Sequence, residues 1–517
     1  MQNPHRFTSE RQPLKSRALL VGVDMGTSST RVVVVDQDGC QRGAASRPAR
    51  LANPARQVFE QCPDEMYASV LLAIADVMAQ ASINAGDIAG IAICGQMAGI
   101  STIGRHWEAT TPYDSWLDLR CANQVQRLKA FEPSIIAQAG GPVSANHAAK
   151  WLYWRDEQPR VYRKIGKIIM PAAYVAGRMS ALDADAAFMD DTYLGFNSFA
   201  DNQAMQWNTA LLDEFQLEVD RLPRLVKPWD RIGSVCAKAA RDCGLLAGTP
   251  VFAGCADIAA SLLGTGSFEP GQLFDIAGTG SVLATLLDHY AVDAQHQTLT
   301  TFRHCIPGLF YSMAYVGGAG ITLKAFGLTD AECQQLQARA GATLSERNKL
   351  LFMPHLGGRH APFDAALAGA FVGLDWRHDR TDRYRAMLES IAYEYARFAQ
   401  CMQDMQVDFG SGGVISLGGG ANSQLFRQIK ADVLGLPYRK LPGAEYGVLG
   451  AALVAGQGAG VFTDLKQTAI DWQRPDECVA LPDASRQAFY AGMRKAYERM
   501  LSNLKPVMAD LQAVPLA

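Results

Sequence analysis

The chain has 517 residues, of which 49% are hydrophobic and 19% charged, with a formal net charge of −3. That length exceeds one compact core and predicts two domains of roughly 250 residues each. The balanced charge offers no footprint for nucleic acid or an anionic membrane, and no run approaches the ~18 apolar residues of a membrane helix.

Residues 1–17 are polar, contain Pro4 and Pro13, and lack an apolar stretch of signal-peptide length. A cytoplasmic location is expected. The 11 Cys are scattered, without the paired short spacing of a zinc or redox site. Cys94 and Cys255 read as small core residues.

The apolar run 18–23 leads into Val23-Asp24-Met25-Gly26-Thr27-Ser28-Ser29-Thr30-Arg31, and the apolar run 32–35 follows. This reads as strand, tight polar turn, strand. Gly26 permits close backbone approach, and the hydroxyls of Thr27, Ser28 and Ser29, with free N–H groups, suit phosphate oxygens. Asp24 at the strand end can hold a divalent cation through water. Taken alone, the segment also reads as an ordinary exposed hairpin. It is not a P-loop, since no Gly-Lys-Ser/Thr closes it, nor a dinucleotide fingerprint, since a strand follows.

Gln37-Asp38-Gly39 is a hairpin turn, residues 63–81 a helix, and 88–94 a buried strand entering Gly95-Gln96-Met97-Ala98-Gly99. Ser115-Trp116-Leu117-Asp118-Leu119-Arg120 reads either as a core Trp with a surface ion pair or as a polyol site. Residues 118–179 look mostly helical. A strand at 251–257 ends in Asp257 and meets the apolar stretch 258–263. Asp257 fits a helix N-cap and equally a general base, and the helix start is expected to keep it ionised.

Residues 273–283 repeat the strand–turn–strand shape around Ile276-Ala277-Gly278-Thr279-Gly280-Ser281, without an acid matching Asp24. Two phosphate loops with one metal acid predict two homologous halves closing on one nucleotide. A turn at Gly317-Gly318-Ala319-Gly320 and a helix at 382–403 follow. A strand at 414–417 then enters Gly418-Gly419-Gly420-Ala421-Asn422-Ser423, which is either a flexible loop or a flat bed for a purine. The segment Glu445-Tyr446-Gly447-Val448-Leu449-Gly450-Ala451-Ala452 extends the pattern, and 482–511 is helical. The repeat is half the chain long, so the class is a duplicated α/β domain and not a solenoid. His106, His147, His355 and His360 read as ordinary surface or loop histidines.

In this order, from about residue 18 to 460, the motifs resemble the FGGY carbohydrate kinases of the actin–hexokinase–heat-shock ATPase superfamily. Phe59-Glu60-Gln61, Gly248-Thr249-Pro250-Val251 and Gly254-Cys255-Ala256-Asp257 belong to the same set. The resemblance implies two actin-like (ribonuclease H-like) α/β domains with an interdomain cleft. The sugar-binding domain would span 18–266 and the nucleotide-binding domain 267–460, with a C-terminal helical extension at 461–517. It implies transfer of the γ-phosphoryl group of ATP, with Mg2+, to a sugar hydroxyl. Asp257 would be the base and Asp24 the second catalytic acid, both at the metal. Thr27, Ser28, Arg31, Gly278, Thr279, Gly318, Gly419, Gly420 and Asn422 would hold the nucleotide. Gln96, Met97, Ala98, Trp116 and Asp118, with Asp257, would line the sugar pocket.

The strongest likeness is to the xylulose kinases, through Gly95-Gln96-Met97 and Trp116-x-Asp118-x-Arg120. Those enzymes typically read Gly-Gln-Met-His-Gly, where this chain has Ala98, and Gly-Glu-Arg-x-Pro, where it has Gly357-Gly358-Arg359-His360-Ala361-Pro362. The expected substrate is a ketopentose such as D-xylulose. The alternatives are another ketose or polyol, an inactive sugar binder of the same fold, or a chaperone-like or cytoskeletal ATPase. Expected partners are the small sugar or polyol, with neither nucleic acid nor membrane, and a homodimer is left open.

Overall fold

The computed structural model describes residues 18–340, 344, 348–443, 446–476 and 478–514. Residues 1–17 and Glu445 lie outside the described residues. Two seven-stranded sheets organise the chain. In the first, Ser29–Asp36, with its four consecutive valines 32–35, pairs antiparallel with Leu19–Met25 on one side and Gln41–Pro48 on the other. Leu19–Met25 then runs parallel to Ile88–Gly95, and Pro250–Phe252 and Arg231–Ser234 complete the order. These central strands are apolar on both faces because helices cover both, as parallel strands require.

The second sheet repeats that order. Leu273–Ala277 and Ser281–Leu287 form the hairpin, Phe310–Val316 pairs antiparallel on one side, and Val414–Leu417 lies parallel on the other. Tyr438–Lys440 follows it, as Pro250–Phe252 does in the first sheet. The faint repeat at Gly278 is therefore a duplication of topology: each hairpin turn sits at the carboxyl end of a central strand, where α/β sheets bind ligands.

The expected strand 251–257 is broken. Pro250–Phe252 ends, Gly254 turns at φ +77°, and Cys255–Ala256 re-pairs with Cys94–Gly95. A Cβ on Gly254 would lie 1.9 Å from the Ile93 carbonyl oxygen, so only glycine fits. This kink starts the helix Asp257–Gly264 at the cleft.

Two buried clusters form the cores. The helix Tyr446–Ala459, which follows the strand Tyr438–Lys440 of the second sheet, packs into the first cluster against Leu19–Met25 and the Asp257 helix. The helix Gln487–Ala513 packs on the second, where Tyr490 and Tyr497 reach Glu389 and Glu394 of the helix Arg380–Asp404. Among the described residues no helix is long and apolar enough to cross a membrane.

Candidate active site

The first loop is a tight turn closed by Gly26 N–H donating to the Ser29 carbonyl at 3.0 Å. Register places Asp24 opposite Arg31, so an acid and a base flank the turn. The Thr27 side chain points inward. Its Oγ1 accepts from Trp116 Nε1 at 2.9 Å and donates to Gln96 Oε1 at 3.0 Å, while Gln96 Nε2 donates to Gln61 Oε1 at 2.7 Å. This chain of bonds fastens the loop to the segment carrying Trp116.

The second loop, Gly278–Gly280, is anchored from beneath. Asp275, buried in its leading strand, accepts from Tyr395 Oη at 2.8 Å and Ser416 Oγ at 2.9 Å and pairs with buried Lys430. From the side, Gly320 and Ile321 N–H donate to the carbonyls of Gly278 and Thr279. The two loops meet: Ser28 Oγ lies 3.2 Å from Thr279 Oγ1.

Between them lies a cavity of about 260 Å³. Its walls include Asp24, Ser28, Arg31, Met97, Ala98, Trp116, Asp257, Gly278, Thr279, Gly419 and Gly447. Ala98 has φ +58°, a left-handed conformation uncommon outside glycine. Trp116 meets Tyr315 edge-on at 5.9 Å.

Asp24 and Asp257 carry the electrostatics. Burial, and next the charge of Asp24, push the Asp257 carboxyl up to about 8, although Ile258 N–H donates to its Oδ1 at 2.8 Å. The expectation that a helix start keeps Asp257 ionised is therefore corrected: desolvation beside a second acid outweighs one amide bond. The residue opens the first turn, with Ala256 as the N-cap. Cys94 Sγ lies 3.7 Å from Asp24 Oδ1, and burial raises its thiol, which fits the inert role expected of it.

The model of the FGGY family of carbohydrate kinases, N-terminal domain, matches residues 19–264, and that of the C-terminal domain matches 274–459. The chain belongs to this family. It is a carbohydrate kinase. The chain is 25% identical over 504 residues to a xylulose kinase of Bacillus subtilis (strain 168), covering 96% of this chain and 99% of the relative. It is 27% identical over 521 residues to an autoinducer-2 kinase of Klebsiella pneumoniae, covering 95% and 94%. The crystal structure of Plasmodium falciparum glycerol kinase with ADP superposes with a TM-score of 0.77 at 18% identity, covering 94% of this chain and 98% of that one.

Within this FGGY kinase some expected site residues do not line the cleft. Gln96 is buried, with its amide committed to Thr27 and Gln61. Asp118 is buried, accepting from Phe59 N–H at 2.8 Å and pairing with Arg120 at 2.7 Å. Both hold the Trp116 segment in place from behind. Gly318 packs inward, where a Cβ would meet Pro354 and Thr322. Gly420 is pressed against Ala277, and Asn422 faces solvent. Thr27 lines the cavity but its hydroxyl is spent on Gln96 and Trp116, whereas Ser28 and Thr279 present theirs where the two loops meet. His147, His355 and His360 are buried, contrary to the surface expectation, while His106 is exposed. Ser261, Tyr446, Gly447, Phe196, Met313 and Tyr315 also line the cleft. Tyr446 and Gly447 had a signal in the downstream motif, whereas Phe196 and Met313 lie in segments that carry no motif.

Proposed function

We propose that this carbohydrate kinase transfers the γ-phosphoryl group of ATP to a hydroxyl of a ketopentose such as D-xylulose. The observation that carries the reading is the placement of Asp24 and Asp257 together on a cleft walled by both glycine loops. The acceptor lies against Met97, Ala98 and Trp116. Asp257 takes the proton from its hydroxyl as the oxygen–phosphorus bond forms and the bond to the β-phosphate oxygen breaks. Ser28, Arg31, Thr279 and the loop amides bind phosphate oxygens, and Leu417–Gly419 with Tyr446 lies beside the nucleoside.

Mg2+ fits Asp24 and Asp257. Two half-buried acids share one wall of the cleft, the charge of Asp24 helps to raise Asp257, and a cation there relieves the repulsion. No group of three or more His, Cys, Asp or Glu among the described residues could ligate a metal, so phosphate and water would complete the shell, as is usual for magnesium. Bound there, the ion supplies positive charge to the transferring phosphates. A site closed by both loops also excludes water, limiting idle hydrolysis.

Ala98 argues for a sugar preference distinct from a strict D-xylulose kinase, since a methyl group stands where the xylulose kinases it resembles carry a ring nitrogen. The test is ADP release measured over D-xylulose, D-ribulose, L-xylulose, xylitol and glycerol. We expect release that depends on one of the five-carbon acceptors, and Ala98→His to shift kcat/KM toward D-xylulose by about tenfold, the size of one hydrogen bond. ADP release indifferent to every one of these acceptors would refute the ketopentose reading.

A further inference from the structure

The acceptor end of the cleft is mostly apolar. Met97, Ala98, Trp116, Phe196, Met313 and Tyr315 form it, a poor match for a substrate bearing several hydroxyls. A second cavity, of about 10 Å³, lies behind this wall and shares Phe196, Met313 and Tyr315 with the first. Its size suits a single water or hydroxyl oxygen.

Three side chains lining it have a polar atom without a partner among the described residues: Ser144 Oγ, Asn146 Oδ1 and His360 Nδ1. They are 7%, 6% and 5% exposed. Buried polar atoms are normally bonded, and each unmade bond costs stability, so three in one small cavity need an explanation. Asn146 sharpens the point. It stands at the N-cap of the helix His147–Glu157, a position where Asn caps well, yet its side chain makes no capping bond. His360 packs against Tyr315 at 4.9 Å and Trp116 at 6.4 Å. Burial lowers its pKa to about 3, so the ring is neutral and can donate or accept. Ser144 and Asn146 come from the segment before the first lobe's helix, and His360, Met313 and Tyr315 from the second, so both lobes complete the cavity.

We propose that Ser144, Asn146 and His360 form a hydroxyl-reading subsite that takes one oxygen of the acceptor's chain remote from the reacting hydroxyl. The oxygen enters past Tyr315, donates to Asn146 Oδ1 and accepts from Ser144 or His360. The substrate class is a polyhydroxylated chain long enough to span from Asp257 to this cavity, and a chain lacking that hydroxyl leaves three polar atoms unpaired and is rejected. The inference rests on the kinase reading above.

Asn146→Leu tests it, since it keeps the volume and deletes the acceptor atom. With the best acceptor among D-xylulose, D-ribulose, L-xylulose and xylitol, kcat/KM should fall about tenfold. The KM for ATP should stay unchanged, and Tm should hold or rise, because an unsatisfied buried carbonyl is gone. His360→Phe provides an independent second variant with the same expected pattern, should the first fail to fold. Unchanged kcat/KM in a folded variant overturns the subsite. So does a loss that tracks a fall in Tm and a change in the KM for ATP, which marks a packing role. If the wild type turns over none of these acceptors, the substrate reading fails and the subsite fails with it; a wild type active on one, with variants unaffected, refutes the subsite alone.

Discussion

Asp257 shows most clearly how burial decides chemistry at a single residue. With its carboxyl pushed up to about 8, the folded protein holds a proton there at neutral pH that the unfolded chain releases. Between roughly pH 4 and 8 the unfolded state therefore binds fewer protons, and the stability contributed by this group falls as pH rises. Asp257→Asn removes that liability. We expect turnover to drop on the order of 100- to 10,000-fold, while Tm rises relative to wild type, by more at pH 8 than at pH 5. Thermal unfolding at the two pH values, beside kcat, checks both halves. The pH profile follows the same sign: kcat/KM should climb with pH toward a limb near 8 in the ligand-free protein. Wild-type turnover in the Asn variant would remove Asp257 from catalysis. The sequence alone made Asp257 a candidate but assigned the wrong ionisation, because the neighbouring acid, Asp24, is 233 positions away in the chain and adjacent only in the fold.

Among the elements, the helix Tyr446–Ala459 holds the site together. It crosses back from the second sheet and lies close to the first because glycines face it and line it. A Cβ at Gly22 would stand 2.0 Å from the Val448 carbonyl oxygen, one at Gly264 2.2 Å from that of Tyr446, and one at Gly450 1.9 Å from that of Ala260. These contacts set Gly447 beside Asp24, where an added Cβ would lie 3.3 Å from its Oδ2. Gly450→Ala should push the helix off the Asp257 helix. Overpacking of this kind costs about 1–3 kcal/mol, so Tm should fall by several degrees, with kcat falling too as the Asp24 wall moves. An unaltered Tm would show that the helices can separate freely. The spacing of Gly447 and Gly450 was visible in the sequence, but the surfaces they press against were not, since one belongs to a strand more than 400 residues upstream.

For the whole molecule, the loops at the cleft mouth meet through Ser28 with Thr279 and Trp116 against Gly280 and Tyr315, while away from the mouth Thr301 N–H donates to the Gly140 carbonyl and Arg303 to that of Asn202, joining the lobes. Hydroxyl contacts at the mouth are easily exchanged for contacts to phosphate, so the loops can part there for substrates to enter and close again, with the bonded contacts between residues 140–203 and 301–303 as the fixed side of the motion. Small-angle scattering should give a smaller radius of gyration with acceptor and a nonhydrolysable ATP analogue together than with neither. An unchanged radius, with binding confirmed by calorimetry, would argue for a permanently closed cleft.

What the sequence determined by itself follows from local rules. The apolar runs 18–23 and 32–35 around Gly26 and the echo at Gly278 specified two strand–turn–strand units, because a hairpin's residues are near neighbours in the chain. The order of the motifs specified the family and the duplicated fold. Which polar side chains face the cleft is settled by packing between distant elements. Gln96, Asp118 and Thr27 belong to motifs at the site, yet their polar atoms are committed within the protein. His360 looked like a loop histidine and is buried against Trp116 and Tyr315. A side chain's direction and partners depend on elements hundreds of residues away, and the cost of leaving a buried polar atom unpaired is settled only when those elements pack.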